Sequence, residues 1–337
     1  MISLTYIQEE PVRRSATALL LVLGIFALVL GGALRFYVHN QLAVAPLDPD
    51  ATTVSKGSQM TVFYPGTLKQ RTDATLTATT RVRGSLTSPE AKPDGDTAVW
   101  SVGIVIEDDN GTLVNASVDK VCLNRRTSLS VSDCNSQSID NEKVKHTGLA
   151  YKFPFNTQKK DYEYFDSTLK ASPVIKFDSE DTVNGLPVYR FVQSIPATKV
   201  EEEDVPGDLV NGQANETVHA GLFYQNTRTL WVEPYSGAIV RDDEDVREVL
   251  RGPDGRDGTV LLSGKLAFTQ ETVQAQVKTA KDARSQLKLI FDTGPLVLLI
   301  AGLLLAAGGV VLLLTSGPRR PKEVPVQRFR RQQPVTT

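Results

Sequence analysis

Histidine is nearly absent from this chain: His39, His146 and His219 stand apart from one another and from both cysteines. No spacing fits a zinc site. There is also no G-x-S-x-G elbow, Walker loop, dinucleotide fingerprint, or Ser-x-x-Lys with companion motifs. These absences lower the case for an enzyme, and no catalytic residue, metal or cofactor is expected. Cysteine is limited to Cys122 and Cys134. Outside the cytoplasm a lone pair spanning a short polar loop reads as a disulfide, worth about 3 kcal/mol if unstrained, the alternative being two free thiols. The sequons at Asn110, Asn115 and Asn215 matter only in a host that glycosylates them.

Charge is absent from two long runs, "SATALLLVLGIFALVLGGAL" (15–34) and "PLVLLIAGLLLAAGGVVLLLT" (295–315). Each is about as long as a bilayer-spanning helix, roughly 20 apolar residues. Their glycines are costly in soluble helices but common where membrane helices pack closely. A cleaved signal peptide is the alternative for the first run, with "AVA" (43–45) as the site. Its apolar length, the distance to that site and Pro46 favour a retained anchor.

The expected organisation is a cytoplasmic N-terminus (1–15), a first span (16–34), an extracytoplasmic β-domain (36–294), a second span (295–315) and a basic tail (316–337). Arg13 and Arg14 before the first span, and Arg319, Arg320, Lys322, Arg328, Arg330 and Arg331 after the second, place both termini in the cytoplasm of an inner-membrane protein. The tail is also suited to anionic lipid, at about 1 kcal/mol per cation.

Residues 1–35 carry +1 and the tail +5, so the total of −2 leaves −8 for the exported region. An acidic domain is a poor nucleic-acid partner. That bears on "YKFPFNTQKKDYEYFD" (151–166), where six of the chain's 23 aromatics surround Lys159 and Lys160. Base stacking is set aside. Tyr151, Phe153 and Phe155 read as one face of a strand, with Pro154 suiting an edge or bulge.

Strand signals dominate the exported region. "AVWSVGIVIE", the turn "DDNG" and "TLVNASVDKVCL" read as a hairpin, and 227–233, 238–251 and 259–272 as a meander with Gly-containing turns. With further strands near 59–64, 74–86 and 185–196 the count reaches eight or more, which predicts a mainly β, antiparallel barrel-like domain. Long loops are expected at 84–96 and 199–216. Val273, Val277, Ala280, Leu287 and Phe291 recur at helical spacing with Arg284 on the same stripe, predicting an amphipathic helix over 270–292, either a stalk or packed on the sheet. The acidic runs "EDD" (107–109), "EEED" (201–204) and "DDED" (242–245) read as solvated turns or strand edges. Neighbouring carboxylates on a strand point to opposite faces, so a calcium site is disfavoured. Paired carboxylates of a glycoside hydrolase are a weaker alternative still.

Taken in order, "RFYVHNQLAVAPLD" (35–48), the 151–166 string, "NTRTLWVEPYSGAIV" (226–240), "LRGPDG" (250–255) and "KDARSQL" (281–287) resemble the actinobacterial porin PorA family over residues 16 to about 315. The resemblance implies an anchor, an exported elongated β-barrel with internal cavities and a projecting helix, a second anchor and a basic tail. It also implies a lipid or glycolipid ligand and a part in maturing lipoglycans such as lipomannan and lipoarabinomannan, and it carries over no catalytic residue. A transmembrane strand barrel is not expected, because both membrane segments are uniformly apolar and acid-rich strands are expensive against lipid.

The leading expectation is an envelope protein whose β-domain binds or presents a lipid or glycolipid, with Trp100, Phe153, Phe155, Phe165, Phe191, Phe223 and Trp231 as candidate cavity liners. The alternatives are a scaffold for envelope biosynthetic enzymes, a porin-like channel, or an unrecognised hydrolase or transferase.

Overall fold

The computed structural model describes residues 10–38 and 43–315. His39, the first residues of the chain and the basic tail with its membrane-surface reading lie outside the described residues. The chain divides into two units, one containing the two apolar helices and the other running from Phe36 to Asp292.

In the first unit, α1 (Glu10–Ala33) packs against the terminal helix, Gly294–Thr315, and both are long and apolar enough to cross a membrane. The glycines set how closely they approach. A Cβ on Gly302 would lie 2.8 Å from the Gly24 carbonyl oxygen, and one on Gly309 would lie 2.7 Å from Leu21 Cγ. Close backbone approach of this kind is a common way for apolar helices to gain packing where lipid offers no hydrophobic drive.

The second unit is built on a single antiparallel sheet of eleven strands curled into a half-barrel. Its strands are β1 (Asp50–Tyr64), β2 (Lys69–Gly84), β3 (Thr97–Asp108), β4 (Leu113–Asn124), β5 (Ser138–Ile139), β6 (Tyr162–Glu163), β7 (Val174–Val183), β8 (Leu186–Pro206), β9 (Thr217–Glu233), β10 (Ala238–Arg251) and β11 (Asp257–Phe268). The order is β5-β4-β3-β2-β1-β11-β10-β9-β8-β7-β6, two meanders joined where β11 returns to pair with β1. Single bridges Leu123–Ser130, Leu129–Leu149 and Leu149–Tyr164 connect the β4 side to the β6 side through the intervening loops.

Three sequence expectations change. Residues 151–155 form no strand: Tyr151 has φ +62°, and the segment docks as irregular chain on the β9–β10 turn through Phe153 N to Gly237 O and Thr157 N to Pro234 O. Gly237, at φ +70°, is needed there because a Cβ would run into the Phe153 carbonyl. The expected loop at 199–216 shrinks, because β8 continues to Pro206 and the acidic run 201–204 pairs with 219–222 of β9. The run 242–245 is no solvated edge: it lies in β10, a central strand, with half of its carboxyls turned inward.

The predicted amphipathic helix is α2 (Gln270–Lys288), continuing through a short π turn into α3 (Gly294–Thr315). Thr269 caps it by accepting from Thr272 N, while Thr272 Oγ1 bonds both the N–H and the carbonyl of Val54 in β1. The stripe Val273, Val277 and Ala280 packs on the outer face of the sheet against Val183, Leu186, Val188, Trp231 and Val240. Arg284 lies on this stripe because Glu233, fully buried, receives it at 2.9 Å.

Candidate functional site

The seven aromatics singled out from the sequence fall in several places. Phe153 and Phe191 lie tilted, 4.8 Å apart between centroids, in an aromatic core with Tyr162, Tyr164 and Phe177. Trp100 and Phe165 share a neighbouring cluster with Val121 and Leu123, and Trp100 Nε1 donates to the Pro46 carbonyl. Trp231 lies beneath α2, its indole N–H on Asp181 and its ring under Arg241. Phe155 lies under the Lys152 ammonium and Phe223 under the Arg251 guanidinium, each 3.9 Å from the ring centre. Burial pushes the Lys152 pKa down to about 7, and its ammonium donates to the carbonyls of Phe153 and Ser236. Cys122 and Cys134 are disulfide-bonded beside Val99 and Ala91.

Two clefts open on the surface of this unit. One, of about 420 Å³, is lined by residues 156–159 with Tyr189, Pro234 and Tyr235. The other, of about 410 Å³, lies between α2 and the β7–β8 turn at Asn184.

The inner face of the half-barrel is layered. One layer is apolar: Met60, Val62, Ala74, Leu76 and Ile106 are buried, while Ile104, Val114, Val200, Leu262 and Leu266 around them are only half-buried. These five side chains therefore keep part of their apolar surface accessible.

Beside it is a charged layer that sequence reasoning missed. Register places Glu244 of β10 opposite Arg228 of β9, and Gln193 of β8 on the other side of Arg228. Arg228 donates through Nε to Glu244 at 2.9 Å and through Nη1 to Gln193 Oε1 at 3.0 Å, and pairs with Asp166 at 3.1 Å. Tyr224 donates its hydroxyl to Asp166, and Asn226 Nδ2 donates to Tyr224 and to Glu244. Burial works against the Arg228 charge, but Glu244 and Asp166 hold its pKa well above the ordinary value. Burial likewise opposes ionisation of Glu244, and Arg228 overcomes it, keeping that carboxylate below its usual range. Asp242 goes the other way: burial, then the Glu244 charge, push it well up. Burial, aided by Asp166, raises Glu248 to about 7. This layer thus brings together four carboxyls and one guanidinium among the described residues. The signal was present in "VRDDEDVREV", where Asp242, Glu244 and Glu248 share parity with the apolar Val246.

A second buried polar group ties the aromatic segment 151–166 to β4. Asp119 accepts from the Tyr151 hydroxyl at 2.6 Å and sits 2.7 Å from His146 Nε2, so the isolated histidine of the sequence has a partner in the fold. Among the described residues no group of three or more His, Cys, Asp or Glu is placed to hold a metal.

The outer face is charged where it is not covered. Arg81 pairs with Asp50, Arg241 with Asp243, and Lys265 lies near Asp245. The chain thus joins a large half-barrel domain to two helices long and apolar enough to cross a membrane. The profile of the family described as Porin PorA matches residues 16–311, and the chain belongs to that family. It is similar to Porin PorA of Corynebacterium resistens, 26% identical over 280 residues, with 60% of this chain and 67% of the relative covered. Porin PorA of Corynebacterium amycolatum is 26% identical over 270 residues, with 64% and 70% covered.

Proposed function

We propose that this chain is a two-span membrane protein of a channel-like family whose β-domain, outside the cytoplasm with both termini inside, takes an amphiphile onto the inner face of its half-barrel. One observation carries the reading: an apolar layer that stays partly accessible at Ile104, Val114, Val200, Leu262 and Leu266 adjoins a charged layer at Arg228 and Glu244. Hydrocarbon and head group would each find a matching surface. The two layers match an amphiphile in general and single out no lipoglycan.

The test is mass spectrometry of the full chain purified from its own host, beside a Leu266→Trp variant that fills the apolar layer. Stoichiometric lipid with the wild type and its loss in the variant is the expected result. Equal recovery, or none with either, overturns the reading.

Family membership favours a second reading, a channel. Charged pairs on the outer face make the strands unsuited to face lipid, so the wall of such a channel would come from α1 and α3 of several copies. Conductance of the purified full chain in a planar bilayer decides it, and its absence over a wide range of protein concentration removes this reading.

A further inference from the structure

The Asn226 side chain is 1% exposed, and both hydrogens of its amide are committed, to the Glu244 carboxylate and the Tyr224 hydroxyl. Glu244 only accepts, and Tyr224 spends its own hydrogen on Asp166, so the chemistry fixes which amide atom is nitrogen. Asn226 Oδ1 is therefore an acceptor held in the charged layer, and it has no partner. Asp242 Oδ1, on the far side of Glu244, is a second buried oxygen without a partner.

The guanidinium and amide donors beside it are spent. Arg228 is divided between Glu244, Asp166 and Gln193, and the Gln193 amide hydrogens go to the carbonyls of Tyr164 and Pro173. The Glu248 carboxyl has no hydrogen bond or ion pair with any described residue. It stands opposite Tyr224 on one side and opposite Leu262 of the apolar layer on the other. An unspent amide acceptor and an unmatched carboxyl thus adjoin the surface that would receive a tail.

We infer that the charged layer at Asn226 and Glu248 binds a cationic, hydrogen-bond-donating head group, an ammonium or guanidinium, and disfavours a phosphate. The inference rests on the amphiphile reading and deepens it. Buried acceptors are costly unless a donor meets them, and a phosphate would bring only further acceptors beside carboxylates. Among the described residues the oxygens do not converge as a divalent metal requires, and an organic cation with N–H donors suits them better.

The experiment is calorimetric titration of the full chain, in nanodiscs of an uncharged-headgroup lipid, with octylamine, octanol and octyl phosphate, net of empty discs. Octylamine is expected to bind about tenfold or more tighter than octyl phosphate, the scale of one charge-assisted hydrogen bond. Glu248→Gln, which preserves shape, and Asn226→Leu should each remove most of that preference and leave octanol unchanged. If Asn226→Leu fails to fold, Glu248→Gln alone decides. Equal or preferred binding of the phosphate, with all three lost in Leu266→Trp, overturns the head-group inference while the amphiphile reading stands. Binding of none of the three overturns both.

Discussion

The two faces of β10 carry nearly the same residues and meet opposite fates. Asp243 and Asp245 face outward, where Arg241 and Lys265 accompany them in water. Asp242, Glu244 and Glu248 face inward, where one guanidinium serves three strands. Outside, a charge pair competes with solvent and contributes little. Inside, the same pair is strong, and its loss leaves a stranded charge. The comparison teaches that a charge on this sheet is judged by its side of the sheet, not by its neighbours in sequence.

The largest break in that comparison is expected from Arg228→Met, which strands Asp166 and Glu244. Urea unfolding should show a loss of about 3–5 kcal/mol, against less than about 1 kcal/mol for Arg241→Met on the outer face. Similar losses for both would mean that the two faces are not electrostatically distinct.

Next comes pH. The folded-state pKa of Glu248, about 7, lies above its ordinary 4.5, so the protonated form is the one that folding favours. Its contribution is therefore complete below about 4.5 and lost as pH rises through about 7, a change of about 3 kcal/mol. Unfolding measured from pH 4.5 to 8 should show this slope, and Glu248→Gln should flatten it while Asp243→Asn leaves it in place.

The helix pair offers a parallel contrast of faces. A Cβ at Gly302 meets the α1 backbone, whereas one at Gly308 meets nothing within 4 Å. Gly302→Leu should cost about 1–3 kcal/mol of thermal stability in detergent, and Gly308→Leu almost nothing. The smallest effect is expected for Asp242→Asn: since burial already favours the uncharged carboxyl, stability at pH 7 should change by less than about 1 kcal/mol. A large loss would show that Asp242 acts as an anion.

Much of the fold was legible. "DDNG" between alternating apolar runs specified the β3–β4 hairpin, and the Gly-containing turns specified the β9–β11 meander. The helical stripe of α2 was visible even with Arg284 in it, and the fold supplies the reason in Glu233. The segment from Tyr151 to Phe155 misled because aromatics at alternate positions satisfy a strand pattern whatever the backbone does. Here a left-handed residue at Tyr151 and docking on the Gly237 turn prevent pairing.

By itself the sequence determined the local matters: two apolar helices, the hairpins, the helix stripe, and that Asp242 and Glu244 share one face. Those follow from periodicity and turn chemistry, which act over a few residues. Only the tertiary structure decided that this face points into the half-barrel, that Arg228 arrives opposite Glu244, and that Asn226 and Glu248 are left with acceptors to satisfy. The physical reason is that burial and pairing of a charge depend on which distant strand lies beside it. That is set by sheet register and curvature, to which no single segment holds the key.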